Sequence, residues 1–329
     1  MSIDFEEVKG KIRGPTVSIV APFKDSNELN TEAVKEYIRF IMDGGITNNE
    51  GNILCPGGIG QLLALSHEEN RMMVEAGVEV AGDKLLVVAA FDTCNYREAI
   101  ELSLNAAEAG AKCVLIPPPF YYAISQADIY RWYKVIAEEI KTKIAIMVYS
   151  QPWRNLGTFI SVPLMGKLAE IENIISIKYG GEMKDYIAAL GLYSKRFAFI
   201  DNSPEADTTA AVAHMHGAVG YVTCPGAFWP EYEAKYWSLL EQGKYEEAAK
   251  WHDKLSPFWE FWKRGGGDIK GGEFGGTEGS FFDTSIQKAA LECVGLYGGP
   301  VRLPFIELTK GQKNKLFGIF EAIGVPKKR

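Results

Sequence analysis

Eight short apolar runs recur along the 329-residue chain, and each leads into a longer stretch with helical periodicity. They lie at 16–20, 52–55, 85–89, 113–116, 144–149, 174–178, 197–200 and 218–222. Several are apolar throughout. A strand with one wet face alternates polar and apolar, whereas an unbroken apolar run fits a parallel strand covered on both faces. Between the runs, 31–43 sets Val34, Tyr37, Ile38, Ile41 and Met42 at i, i+3, i+4, i+7 and i+8, a single helical stripe. Thr31 is the expected N-cap there and Gly44-Gly45 the stop. Ser66 before His67-Glu68-Glu69 and Ser125 before the next stripe, which runs to about 140, predict two more capped starts. Further helical patterns cover 97–109, 162–171, 182–194, 204–215 and 230–242.

This alternation predicts a (β/α)8 TIM barrel over residues 1–242, with a doubly wound open sheet as runner-up. Residues 243–329 read as a helical extension, with helices at 244–263, 281–296 and 309–323. No linker separates the two parts, so one extended domain is expected. Four of the seven tryptophans (Trp237, Trp251, Trp259, Trp262) fall beside that junction. They read as a packing seam, with ligand stacking as the alternative. Eight glycines crowd positions 265–279 and read as an insertion, a flexible or subunit-contacting loop that could lie over a barrel mouth.

Composition removes other classes. Lys+Arg 35 against Asp+Glu 42 gives a net charge of −7, which argues against a nucleic-acid surface. No uninterrupted stretch of ~18 apolar residues occurs, and the charged start lacks a signal-peptide core, so a cytoplasmic protein is expected. The five cysteines are scattered and form no CxxC, so neither a disulfide framework nor a zinc site is expected. His214 and His216 sit two apart on a predicted helix and do not share a face.

In a barrel, chemistry gathers at the C-terminal ends of the strands. Run six ends at Lys178, whose stem should lie inside the mouth. Burial there would penalise the ammonium and leave an amine able to attack a carbonyl. Run five ends at Tyr149, on the neighbouring strand, where a phenol can relay protons. Run two ends in Gly57-Gly58-Ile59-Gly60, a turn whose N–H groups can nest a carboxylate or phosphate. It is neither a Walker A loop nor a GxGxxG motif. Arg154, just past run five, could hold a distal carboxylate. For each residue a packing or surface role is the alternative.

Five ordered blocks resemble the dihydrodipicolinate synthase / N-acetylneuraminate lyase superfamily of class I aldolases. They are Ala21-Pro22-Phe23; Pro118-Pro119-Phe120-Tyr121 with Ser125-Gln126 and Tyr130; Tyr149-Ser150-Gln151-Pro152-Trp153-Arg154-Asn155; Asn173-Ile174-Ile175-Ser176-Ile177-Lys178; and Lys288-Ala289-Ala290-Leu291 with the segment from Gly298 to Pro304. The resemblance implies that Lys178 forms a Schiff base and Tyr149 relays protons. It implies that Gly57, Gly58 and Ile59 hold the carboxylate of a 2-oxo acid, with Arg154, Gly180 and Val222 also lining the site. It implies that Tyr121 reaches into a neighbouring subunit, that the assembly is a homotetramer built from dimers, and that no metal or organic cofactor is needed.

The usual Gly-Thr-Thr-Gly-Glu turn reads Gly57-Gly58-Ile59-Gly60-Gln61 here, so the relay threonine is missing. The leading expectation is a pyruvate-dependent aldolase. A 2-oxo sugar-acid dehydratase similar to 5-dehydro-4-deoxyglucarate dehydratase is the alternative, and a non-catalytic carboxylate-binding relative the second. Ile59, Trp153 and Phe120 predict a mouth that favours a bulky or apolar substituent.

Overall fold

The computed structural model describes residues 3–152, 159–202, 206–263 and 283–328, with side chains of 206–208 excepted. Eight parallel strands close into a barrel in the order β1 to β8. They are β1 (Gly14–Ser18), β2 (Asn52–Leu54), β3 (Leu86–Ala90), β4 (Cys113–Ile116), β5 (Ala145–Ser150), β6 (Ile174–Tyr179), β7 (Ala198–Asp201) and β8 (Gly220–Thr223). Every predicted run is a strand, and six of the eight are buried at every residue, as strands sandwiched between core and helices must be; β5 and β8 each have one partly exposed residue.

The barrel helices are α2 (Thr31–Asp43), α3 (His67–Ala81), α4 (Tyr96–Glu108), α5 (Gln126–Ile140), α6 (Val162–Leu168), α7 (Met183–Tyr193), α8 (Ala206–Met215) and α9 (Pro230–Glu241). Ser66 and Ser125 head full capping boxes with Glu69 and Asp128. At α2 the cap is Asn30, not Thr31: its side chain accepts from the Ala33 N–H, and Thr31 is already helical. A helix at the N-terminus, α1 (Phe5–Lys11), went unpredicted. Asp4 caps it, and Val8 and Ile12 join the apolar cluster inside the barrel.

The extension holds α10 (Tyr245–His252), α11 (Ser256–Lys263), α12 (Asp283–Cys293) and α13 (Lys310–Ile323). The predicted single helix at 244–263 is broken by a 3₁₀ turn at Asp253–Leu255. Phe258, Phe261, Ile286 and Phe320 share one continuous core with Val17, Phe23 and Ile53 of the barrel. The Gly-rich stretch 265–279 lies outside the described residues. Among the described residues no helix is long and apolar enough to cross a membrane.

Candidate active site

A cavity of about 630 Å³ opens at the C-terminal ends of the strands, and Lys178 and Tyr149 both line it. A defect in strand pairing brings them together. Between β5 and β6 the register runs Ile146↔Ile174, then Met147↔Ser176, so Ile175 is an extra residue on β6. Were β6 regular, without this bulge, alternation from Ile175 would turn Ile177 and Tyr179 inward and Lys178 outward. With it, Ile177 and Tyr179 pack in the outer cluster while Lys178 pairs with Tyr149 on the inner face. Paired parallel strands lie ~5 Å apart. Lys178 is 5 % exposed, and its Nζ rests 3.9 Å from the centre of the Tyr149 ring.

Tyr149 is held from two sides. Its phenol oxygen accepts from Asn202 Nδ2 at 3.0 Å, and its backbone is hydrogen-bonded to the Tyr133 hydroxyl. Tyr133, on α5, donates in turn to the Ile116 carbonyl at 2.8 Å, pinning the ends of β4 and β5 to one helix. Asn202 follows the last residue of β7, and its N–H donates to the Tyr179 carbonyl at 2.7 Å. Sequence reading passed over Asn202, although its place at a strand end was the available signal.

In the turn after β2, Gly58 and Ile59 line the cavity. They precede the first bond of a short 3₁₀ turn, Gly60 N–H to the Gly57 carbonyl at 3.0 Å, and the leading N–H groups of a turn have no partner within it. A Cβ at Gly58 would meet nothing within 4 Å, whereas one at Gly57 would lie 2.7 Å from the Ser18 Cβ. Gly58 therefore faces open space. Gly57 serves close packing, and its N–H donates to the Ile19 carbonyl at 2.8 Å. Gln61 takes a left-handed conformation and grips the Arg302 backbone through both side-chain polar atoms.

The other predicted positions divide. Val222 lines the cavity. Gly180 does not: its N–H extends the β5–β6 ladder to the Ser150 carbonyl at 2.8 Å. Tyr121 stands 75 % exposed, edge-on to Tyr122, and does not line its own chain's cavity. Arg154 and Trp153 lie outside the described residues. Ile59 lines the cavity and Phe120 does not.

Beyond β8 the cavity runs outward to α9, α10 and α11, where Tyr232, Tyr236, Leu255, Trp259 and Trp262 line it. Two tryptophans of the seam thus both pack on the core and face this space. Glu233 projects here from α9, 3 % exposed, accepting from the Tyr221 hydroxyl at 2.6 Å and the Thr223 hydroxyl at 2.7 Å. Burial pushes its carboxyl up to about 7, against the two hydroxyls, which favour the anion. Burial likewise raises Asp283 to about 6, while a hydrogen bond with Trp262 works the other way. Among the described lining residues Lys178 is the one lysine or arginine.

Gln151 is the second residue missed. It lines the cavity, it is fully buried, and neither its carbonyl oxygen nor its amide nitrogen has a hydrogen-bond partner among the described residues. A buried polar atom without a partner costs ~1–3 kcal/mol.

The chain is similar to known proteins along nearly its whole length. The profile of the Dihydrodipicolinate synthetase family matches residues 11–266. A 4-hydroxy-tetrahydrodipicolinate synthase from Syntrophus aciditrophicus is 28% identical over 316 residues, 95% of this chain and 99% of that protein. The dihydrodipicolinate synthase of Aquifex aeolicus superposes with a TM-score of 0.82 at 25% identity, covering 97% of this chain and all of that one. A chloride-inhibited dihydrodipicolinate synthase from Acinetobacter baumannii, complexed with pyruvate, shares the fold with a TM-score of 0.81 at 23% identity, over 95% of this chain and 99% of that one.

Proposed function

The chain belongs to the dihydrodipicolinate synthetase family, which makes it a carbon–carbon lyase, and we propose on that footing that it acts on 2-oxo acids through an imine on Lys178. The carrying observation is the inward register pair Tyr149↔Lys178 at the floor of the cavity. The relative solved with pyruvate supports pyruvate as one half of the reaction.

In this reading the uncharged Lys178 amine attacks the keto carbon. Loss of water gives a protonated imine, with Tyr149 carrying the proton between nitrogen and departing oxygen. Asn202 aims a donor at the phenol oxygen, which must carry charge while its proton is in transit. The open N–H groups of Gly58 and Ile59 hold the carboxylate. Tyr149 next takes the proton of the C4 hydroxyl, C4 departs as an aldehyde, and the iminium accepts the electron pair of the breaking C3–C4 bond, leaving an enamine. Protonation at C3 and hydrolysis release pyruvate, and the reverse sequence adds the enamine to an aldehyde. No metal or organic cofactor enters these steps.

A dehydratase using the same enamine is the second reading, favoured by the absence of a hydroxyl at Gly58. We further propose a cytoplasmic homotetramer in which Tyr121 completes a neighbour's site. Borohydride reduction with pyruvate tests the central step. A mass increase confined to one lysine, lost in Lys178→Ala, is the expected result, and an equal adduct on that variant would refute it.

A further inference from the structure

We propose that Gln151 is a specificity-determining residue that recognises a hydroxyl-bearing carbon chain on the substrate beyond its imine carbon. This rests on the Schiff-base reading above.

The placement follows from strand geometry. Tyr149 faces the barrel interior, and Ser150 turns outward, its hydroxyl accepting from the Ile160 N–H at 3.1 Å. Gln151 therefore returns to the inner face, about two residue rises (~6–7 Å) further toward the mouth than the Tyr149–Lys178 pair. A 2-oxo acid joined to Lys178 points its remaining carbons into that layer.

The chemistry follows from the empty hydrogen bonds. The carboxamide offers one acceptor oxygen and an NH2 donor, and both are buried without partners among the described residues. An apolar side chain of the same length would fill this place at no such cost, so the amide is placed for a ligand. A carboxylate would satisfy only the nitrogen and a hydrocarbon neither. A hydroxyl, or two on adjacent carbons, both donates and accepts. On this proposal the substrate is hydroxylated close to the imine, and apolar bulk belongs to the aromatic lobe past β8.

The test compares imine formation by 2-oxopentanoate and by 4,5-dihydroxy-2-oxopentanoate. It uses borohydride trapping and intact mass, with intact and cleaved adducts summed. The wild type should half-saturate at a concentration about tenfold lower with the dihydroxy acid, the worth of one good hydrogen bond to a buried group. In Gln151→Met the two acids should half-saturate alike, pyruvate trapping should be unchanged, and Tm should hold or rise. Gln151→Glu should also lose the preference, because the donor is gone and a buried charge added. An unchanged preference in both variants, or no preference in the wild type, overturns the assignment of Gln151 while leaving the imine intact. No pyruvate adduct in the wild type overturns the Schiff-base reading and this inference with it.

Discussion

Glu233 shows how one residue's surroundings set its chemistry. Its ordinary value is 4.5, and burial moves it to about 7. The fold thus favours the protonated carboxyl. Stability drawn from that preference is complete below about pH 4.5 and is lost as the pH rises through 7. Glu233→Gln cannot ionise and should be spared this loss, worth up to about 3 kcal/mol. Thermal unfolding at pH 5 and pH 8 checks it: the variant's Tm relative to wild type should climb between the two, and a constant difference would contradict the assignment. Lys178 and Tyr149 were legible beforehand because each ends an apolar run. Glu233 was not, because its partners Tyr221 and Thr223 lie on a strand, and only packing of α9 on β8 brings them together. Gln151 stood inside a quoted motif, yet nothing in a string of letters shows that an amide lacks partners.

At the scale of elements, Arg302 ties three pieces of chain. Its guanidinium donates to the Ala64 carbonyl at 2.8 Å, to both oxygens of Glu69 and to Asn27, and it stacks 3.9 Å above the Phe23 ring. Glu69 also closes the capping box of α3, and the bond from Arg302 holds its carboxyl below the usual range. One side chain thereby locks the closing segment onto the turn that carries Gly58 and Ile59. Arg302→Met should cost ~2–3 kcal/mol, because charged hydrogen bonds are lost and Glu69 is left half-buried. A fall in Tm of several degrees by calorimetry is expected, with weakened 2-oxo acid saturation from the loosened turn. The extra residue on β6 acts at the same scale. It reverses the inward alternation once, and the strand pattern 174–178 gave no sign of it because Ile174, Ile175 and Ile177 suit either face.

For the whole molecule, cavity size does not locate the site. A hollow of about 810 Å³ lies outside, against α2 and the residues Pro326 to Lys328, and is lined by none of the strand-end residues. The smaller one is chemically equipped because eight parallel strands aim their C-terminal ends at it. Tyr121 and Tyr122 stand 75 % and 58 % exposed beyond β4, an apolar pair that an isolated chain gains nothing by presenting. Light scattering should give about four chains per particle. Tyr121→Ala should lower that mass or slow turnover while leaving the Lys178 adduct intact, and a wild-type monomer with full activity would exclude the shared site.

The barrel was written in the sequence because its signals are local: unbroken apolar runs, a helical stripe, and serines that cap within three residues. The same locality revealed Lys178, Tyr149 and the Gly58–Ile59 turn. Only the tertiary structure decided that Lys178 faces inward, that Asn202 supports Tyr149, that Val8 and Ile12 join the cluster inside the barrel, and that the cavity extends to α11. Those depend on register and on burial, which are set by partners distant in the chain and leave no local mark on the residues they govern.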